Sequence, residues 1–197
     1  MDTQITDRPV VVVSGLPRSG TSMLMQMLVA GGLEALTDER RIADQDNPAG
    51  YFEYDRVKTL QRDNEWLNEA RGKVVKIVVP LVSFLPPDLP YRIVFMLRDL
   101  EEVVKSQTTM LQRLDNQGAR MPPEMLARQF ELLLEKTRAT LESTYGDNII
   151  FVEHRRCLEA TPEVVAELRQ FLGKHLDAEK MEHAVNPALY RNKLGSE

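Results

Sequence analysis

Hydrophobic positions alternate between two patterns along the chain. The first is a short apolar run with no polar alternation. Val10 to Val13, between Pro9 and Ser14, reads this way, which is the signature of a strand buried on both faces of a parallel sheet. Lys73 to Val79 (ended by Pro80), Tyr91 to Leu97 (flanked by Pro90 and Arg98) and Asn148 to Glu153 predict three more strands. The second pattern is helical. It covers Ser19 to Ala30 with a stop at Gly31 and Gly32, residues 56–71 with Val57, Leu60 and Leu67 near helical spacing, and residues 100–114. It recurs from Pro123 to Tyr145, halted by Gly146, and from Thr161 to Gly173, with Thr161 as N-cap and Pro162 at the first helical position. Turn chemistry marks Asp46 to Gly50 and Asp115 to Pro123. Strands alternating with helices predict an α/β three-layer fold with a mainly parallel sheet of four to five strands, in one domain over residues 1–197. Neither an internal repeat nor a low-complexity segment interrupts it.

Composition narrows the class. At 197 residues, 43% hydrophobic and 28% charged, the chain is long enough to bury about 70% of its unfolded surface without a metal or disulfide staple. Its one cysteine, Cys157, excludes an internal disulfide framework and suits a reducing compartment. No run reaches the length of a membrane span, and the first residues lack the basic-then-apolar pattern of a signal peptide. The expectation is a soluble cytoplasmic protein with no membrane partner. A net charge of −5 argues against a nucleic-acid partner held by a broad basic face. It leaves room for a local positive pocket that takes a small anion. His154, His175 and His183 share no metal-ligand spacing, so no metal is expected. Met23, Leu24, Met27 and Leu28 read as core of the first helix, and Trp66 as a buried anchor.

The candidate chemistry begins where the first strand ends. Gly15, Pro17, Arg18, Ser19, Gly20, Thr21 and Ser22 form a glycine-bounded turn between a buried strand and a helix. Loop N–H groups and the helix N-terminus then converge on one place, and the helix dipole favours an anion there. Gly15 and Gly20 permit the backbone angles and close approach such a turn needs. Arg18 adds a fork of donors, and Thr21 and Ser22 add hydroxyls. The spacing matches a nucleotide P-loop except that Thr21 stands at the lysine position, which weighs against an ATP or GTP enzyme. Arg98 at the end of the third strand, with Ser106 on the following helix, makes a second place where side chains from a strand end can reach one phosphate.

These stretches resemble the sulfotransferases that use 3′-phosphoadenosine 5′-phosphosulfate (PAPS). Residues 15–24 resemble their 5′-phosphosulfate loop, and Arg98 with Ser106 eight residues on resembles their 3′-phosphate motif, with Leu100 where proline is usual. Two anion sites on adjacent strand ends suit a nucleoside phosphorylated at both ends, whereas ATP needs only the first. Asn47 to Glu53 resembles a segment of bacterial members and implies Glu53 as the catalytic base, with Asp55 the alternative. The resemblance further implies that Lys76 assists the leaving phosphosulfate and that Arg18 stabilises charge on its bridging oxygen. Ile77, Val78 and Val79 follow Lys76, so the histidine base of cytosolic members is absent. Residues 150–173 resemble the late strand and helix of the family, with Arg155, Arg156 and Cys157 in place of its Tyr-Glu-Asp, and read as scaffold. Lesser candidates are Arg191 and Lys193 for the 3′-phosphate, Arg40 and Arg41 for an anionic acceptor, His154 approaching the site from a strand, and residues 110–123 as a lid. The implied reaction moves a sulfuryl group from PAPS to a hydroxyl or amine of a small-molecule, glycan or metabolite acceptor. It leaves PAP and requires no metal. A P-loop-like kinase using ATP and a PAP-binding protein without turnover remain the alternatives. The sequence is silent on oligomeric state.

Overall fold

The computed structural model describes residues 8–38, 50–113 and 121–186. Arg40, Arg41, Asn47 to Ala49, the middle of the expected lid (114–120), Arg191 and Lys193 lie outside the described residues.

Four strands, β1 (Val10–Gly15), β2 (Val74–Lys76), β3 (Tyr91–Leu97) and β4 (Ile149–Glu153), form one sheet in the order β2-β1-β3-β4. Every pairing is parallel. The side-chain period of two divides the strands between two cores. Val10, Val12, Val75, Ile93 and Phe95 face one layer, while Val11, Val13, Val74, Val94 and Met96 face the other. The second layer is α1 (Thr21–Ala30), α4 (His154–Glu159), α5 (Thr161–Leu172) and α6 (Ala178–His183). The first layer is the chain between Tyr54 and Leu85 together with α2 (Leu100–Arg113) and α3 (Pro123–Tyr145). Helix α1 thus leaves β1 toward one face, and α2 leaves β3 toward the other. In an open parallel sheet, adjacent strands whose connections diverge leave a crevice at their C-terminal ends, and ligands bind there. Gly15 is in register with Met96, so the turn after β1 and Arg98 after β3 meet at that crevice.

Several local expectations are corrected. Residues 56–71 form two short 3-10 segments, Asp55–Thr59 and Glu65–Asn68, instead of one helix. Val57, Leu60 and Leu67 are buried, as helical spacing implied. The Asp63-Asn64 pair breaks the helix between them: Asp63 Oδ1 accepts from Glu65 N at 3.2 Å, a local bond that competes with helical bonding. Trp66 is fully buried and meets Tyr54 edge-on at 5.3 Å between ring centroids. The strand expected over 73–79 pairs only over Val74–Lys76, although Ile77 N and Val79 N still donate to Val13 O and Gly15 O. Helix α1 starts at Thr21, two residues later than expected, because the turn needs Ser19 and Gly20. Thr161 is not the N-cap of α5. Ala160 holds that place, and the Thr161 hydroxyl donates back to Cys157 O at 2.8 Å. The short helix α4 was not expected at all.

Candidate active site

The turn 15–20 carries two kinds of backbone constraint. Gly20 caps α1 in the left-handed region, with φ 104°, and no side chain caps the helix. No acidic residue lies in its first turn. Four N–H groups at a helix start lack intrahelical acceptors, so this start can accept an external anion. A Cβ on Gly20 would lie 2.4 Å from His154 Cδ2, so both angle and space demand glycine. Arg18 is also left-handed, with φ 69°. An arginine there costs roughly 1–2 kcal/mol, and strain of this kind concentrates at functional turns.

Arg18 links the two expected anion sites. Its Nε donates to Ser106 Oγ at 3.1 Å, and its carbonyl accepts from Arg98 Nη1 at 3.2 Å. The backbone of the first site and the guanidinium of the second are therefore joined directly. Ser14 Oγ and Ser19 Oγ are buried with no hydrogen-bond partner among the described residues. A buried hydroxyl left unsatisfied is costly. Ser19 Oγ sits in the turn itself, 2.6 Å from where a Gly15 Cβ would be.

Asp99 caps α2, its Oδ1 accepting from Glu101 N at 2.9 Å and Glu102 N at 3.2 Å. Arg98 pairs with Glu102: Nε to Oε2 is 2.8 Å, with side chains only 10% and 6% exposed. His154, at the start of α4 and also buried, completes the cluster. Burial holds its pKa down to about 4, Arg98 pushes the same way, and Glu102 opposes them. His154 is therefore a neutral imidazole at pH 7, reaching the turn from a helix start and not from within a strand.

The surroundings of Lys76 are built differently. Lys76 lies at the end of β2 on the α1 face, 8% exposed. Its Nζ donates to the Tyr51 carbonyl, lies 3.5 Å from Ser22 Oγ, and sits 5.9 Å from the Tyr51 ring centroid. This chain of contacts ties the start of α1 to the loop 50–55. Gly50 (φ 90°) and Phe52 (φ 51°) are both left-handed in that loop. Glu53 is half-buried, and its carbonyl is pinned by Thr37 Oγ1 at 2.8 Å and Asp38 N at 3.2 Å. Asp55, the alternative base, is exposed and ion-paired with Lys58 at 2.7 Å. Among the described residues no group of three or more His, Cys, Asp or Glu is placed to hold a metal. Cys157 is buried and its thiol is pushed up to about 12, chiefly by burial, which makes it inert.

Comparison with known proteins fits this geometry. Residues 8–195 match the sulfotransferase domain. The chain belongs to the sulfotransferase domain family. A sulfotransferase from Alicyclobacillus acidocaldarius superposes with a TM-score of 0.57 at 16% identity, covering 92% of this chain and 88% of its own. Retinol dehydratase, solved with retinol and PAP, gives 0.56 at 18% identity, over 89% of this chain and 63% of the longer protein. Sulfotransferase STF9 from Mycobacterium avium gives 0.53 at 13%, over 91% and 67%. At such identities the likeness establishes a shared fold. No curated protein matches the sequence significantly. Sequence reasoning named the turn 15–22, Arg98, Ser106 and Lys76. It missed Glu102 and the Tyr51 carbonyl. The four-residue spacing from Arg98 to Glu102 on a helix start was the available signal for the first; a backbone carbonyl leaves no signal in sequence.

Proposed function

We propose that the protein transfers a sulfuryl group from PAPS to a hydroxyl or amine on a small acceptor and releases PAP. The observation that carries this reading is the Arg18 link, which makes one continuous anion-binding surface from two strand ends. The residues present fit the nucleotide: an uncapped helix start, an unsatisfied Ser19 hydroxyl and two guanidinium groups converge on the crevice. PAPS supplies an activated sulfuryl group, whose sulfur–oxygen bond to the 5′-phosphate breaks as the bond to the acceptor forms.

This chain's residues do the rest. Gly15, Pro17, Ser19, Gly20, Thr21 and Ser22 shape the turn that holds the 5′-phosphosulfate, by backbone N–H groups and hydroxyls. Arg18, within the turn, offsets negative charge on the departing oxygen, and Lys76 adds a second cation from β2. Arg98 and Ser106 hold the 3′-phosphate. Glu53 accepts the proton of the acceptor hydroxyl. A fixed crevice supplies most of the catalysis by positioning and electrostatics. No described helix is long and apolar enough to cross a membrane. The single buried thiol, with the absence of any disulfide pair in the sequence, supports a cytoplasmic location. Retinol, bound by the dehydratase neighbour, supports a small-molecule acceptor.

Calorimetric titration with PAP, and with ATP plus magnesium as the control, tests the assignment. Micromolar PAP binding with much weaker ATP binding is the expected result. Preference for ATP, or binding of neither, overturns it.

A further inference from the structure

Glu102 has no role in the reading above, yet it is among the most buried charged side chains described, at 5% exposure. Its position in the sequence gives it a ready alternative. Asp99 is the N-cap of α2 and Glu102 stands three residues later, the spacing of a capping box, in which the glutamate bonds back to the cap residue's N–H. Its Oε2 takes Arg98 Nε at 2.8 Å. Arg98 Nη1 in turn donates to Arg18 O. The guanidinium is thus gripped on one edge by a carboxylate from α2 and on another by the turn after β1.

A long arginine side chain has several rotatable bonds and so has rotamer entropy to lose. Two fixed contacts from two different elements remove that freedom before any ligand arrives. The carboxylate also offsets the charge of Arg98, so oriented N–H donors count beside net attraction in how this site would select a phosphate.

We propose that Glu102 is a positioning residue that sets the orientation of Arg98 and so gives the crevice its selectivity for a nucleotide carrying a 3′-phosphate. This rests on the nucleotide assignment under Proposed function. Two accounts of Glu102 predict opposite signs. As a nearby negative charge, it would repel phosphate, and Glu102→Gln would tighten PAP binding. As the group that orients Arg98, its loss weakens binding of the 3′-phosphate and leaves the 5′-phosphate unaffected.

The readout is the ratio of Kd for adenosine 5′-monophosphate to Kd for PAP, measured by calorimetry on the full chain. Glu102→Gln keeps the shape and one acceptor oxygen. It is expected to lower the ratio about ten-fold, the effect of losing one charge-assisted hydrogen bond, with monophosphate affinity little changed. Glu102→Asp keeps the charge but draws the carboxylate back by one methylene, and it lowers the ratio as well. An unchanged or increased ratio in either folded variant overturns the proposal, as does equal weakening of both ligands, which marks a structural role. A wild-type ratio near one overturns the nucleotide assignment itself, a result separate from any difference between the variants.

Discussion

The two sides of the crevice are built on different principles. The proposed nucleotide side is a turn between a fully buried strand and a helix, joined to a second strand end by Arg18, Arg98, Ser106 and Glu102. Its residues lie within short sequence windows, at 15–22 and 98–106. The proposed acceptor side is a loop, 50–55, with two left-handed residues, anchored by backbone contacts to Lys76, Thr37 and Asp38. A phosphate cradle needs one backbone geometry whatever the acceptor. An acceptor surface varies with the molecule it takes, and loops tolerate that variation better than a sheet edge does. Departures from the expected family pattern fall on both sides, Leu100 on the first and Ile77, Val78 and Val79 on the second.

The largest expected effect breaks the acceptor side alone. Glu53→Gln should lower kcat by about 10²–10⁴-fold, the usual contribution of a general base, while PAP affinity stays at the wild-type value. Steady-state rates with calorimetry on the same variant check this, and equal loss of PAP binding would place Glu53 on the nucleotide side. Next comes the nucleotide side. Arg98→Ala strips the buried Glu102 carboxylate of its guanidinium and should cost about 3–5 kcal/mol of stability as well as PAP binding. Urea denaturation reads the first and calorimetry the second. A variant as stable as wild type would show that the Arg98–Glu102 pair is not the buried contact described.

The smallest effect sharpens the comparison through pH. His154 titrates near 6.5 when unfolded and near 4 in the fold, chiefly because it is buried, with Arg98 and Glu102 facing it. A depressed pKa contributes stability that is complete above pH 6.5 and is lost as pH falls toward 4. The difference amounts to about 3 kcal/mol. Denaturation curves at pH 7 and pH 4 should show this loss in wild type and a smaller one in His154→Gln. Identical losses in both proteins would mean that His154 is not held neutral by the fold.

Legibility in the sequence followed the range of the interactions. The strands β1 and β3 could be read because burial on both faces leaves an unbroken apolar run. The turn 15–22 could be read because a left-handed φ at Gly20 and an uncapped helix start require particular residues in sequence order. The segment 55–71 misled because its apolar spacing was satisfied by tertiary burial, while Asp63 and Asn64 prevented one helix. Helix α4 was obscure because six residues carry too little periodicity to show.

The sequence by itself determined the layered α/β plan, the glycine-bounded turn after β1 and the spacing of Arg98 and Ser106, since each depends on neighbours a few residues away. Tertiary structure alone decided what those residues touch. It brought Arg18 to Ser106, packed His154 against Gly20 and fastened Lys76 to the Tyr51 carbonyl. Those contacts join positions between 25 and 134 residues apart. Long-range pairing of this kind is set by sheet order and by the cost of leaving buried polar groups unsatisfied, and neither quantity is written in any local stretch of the chain.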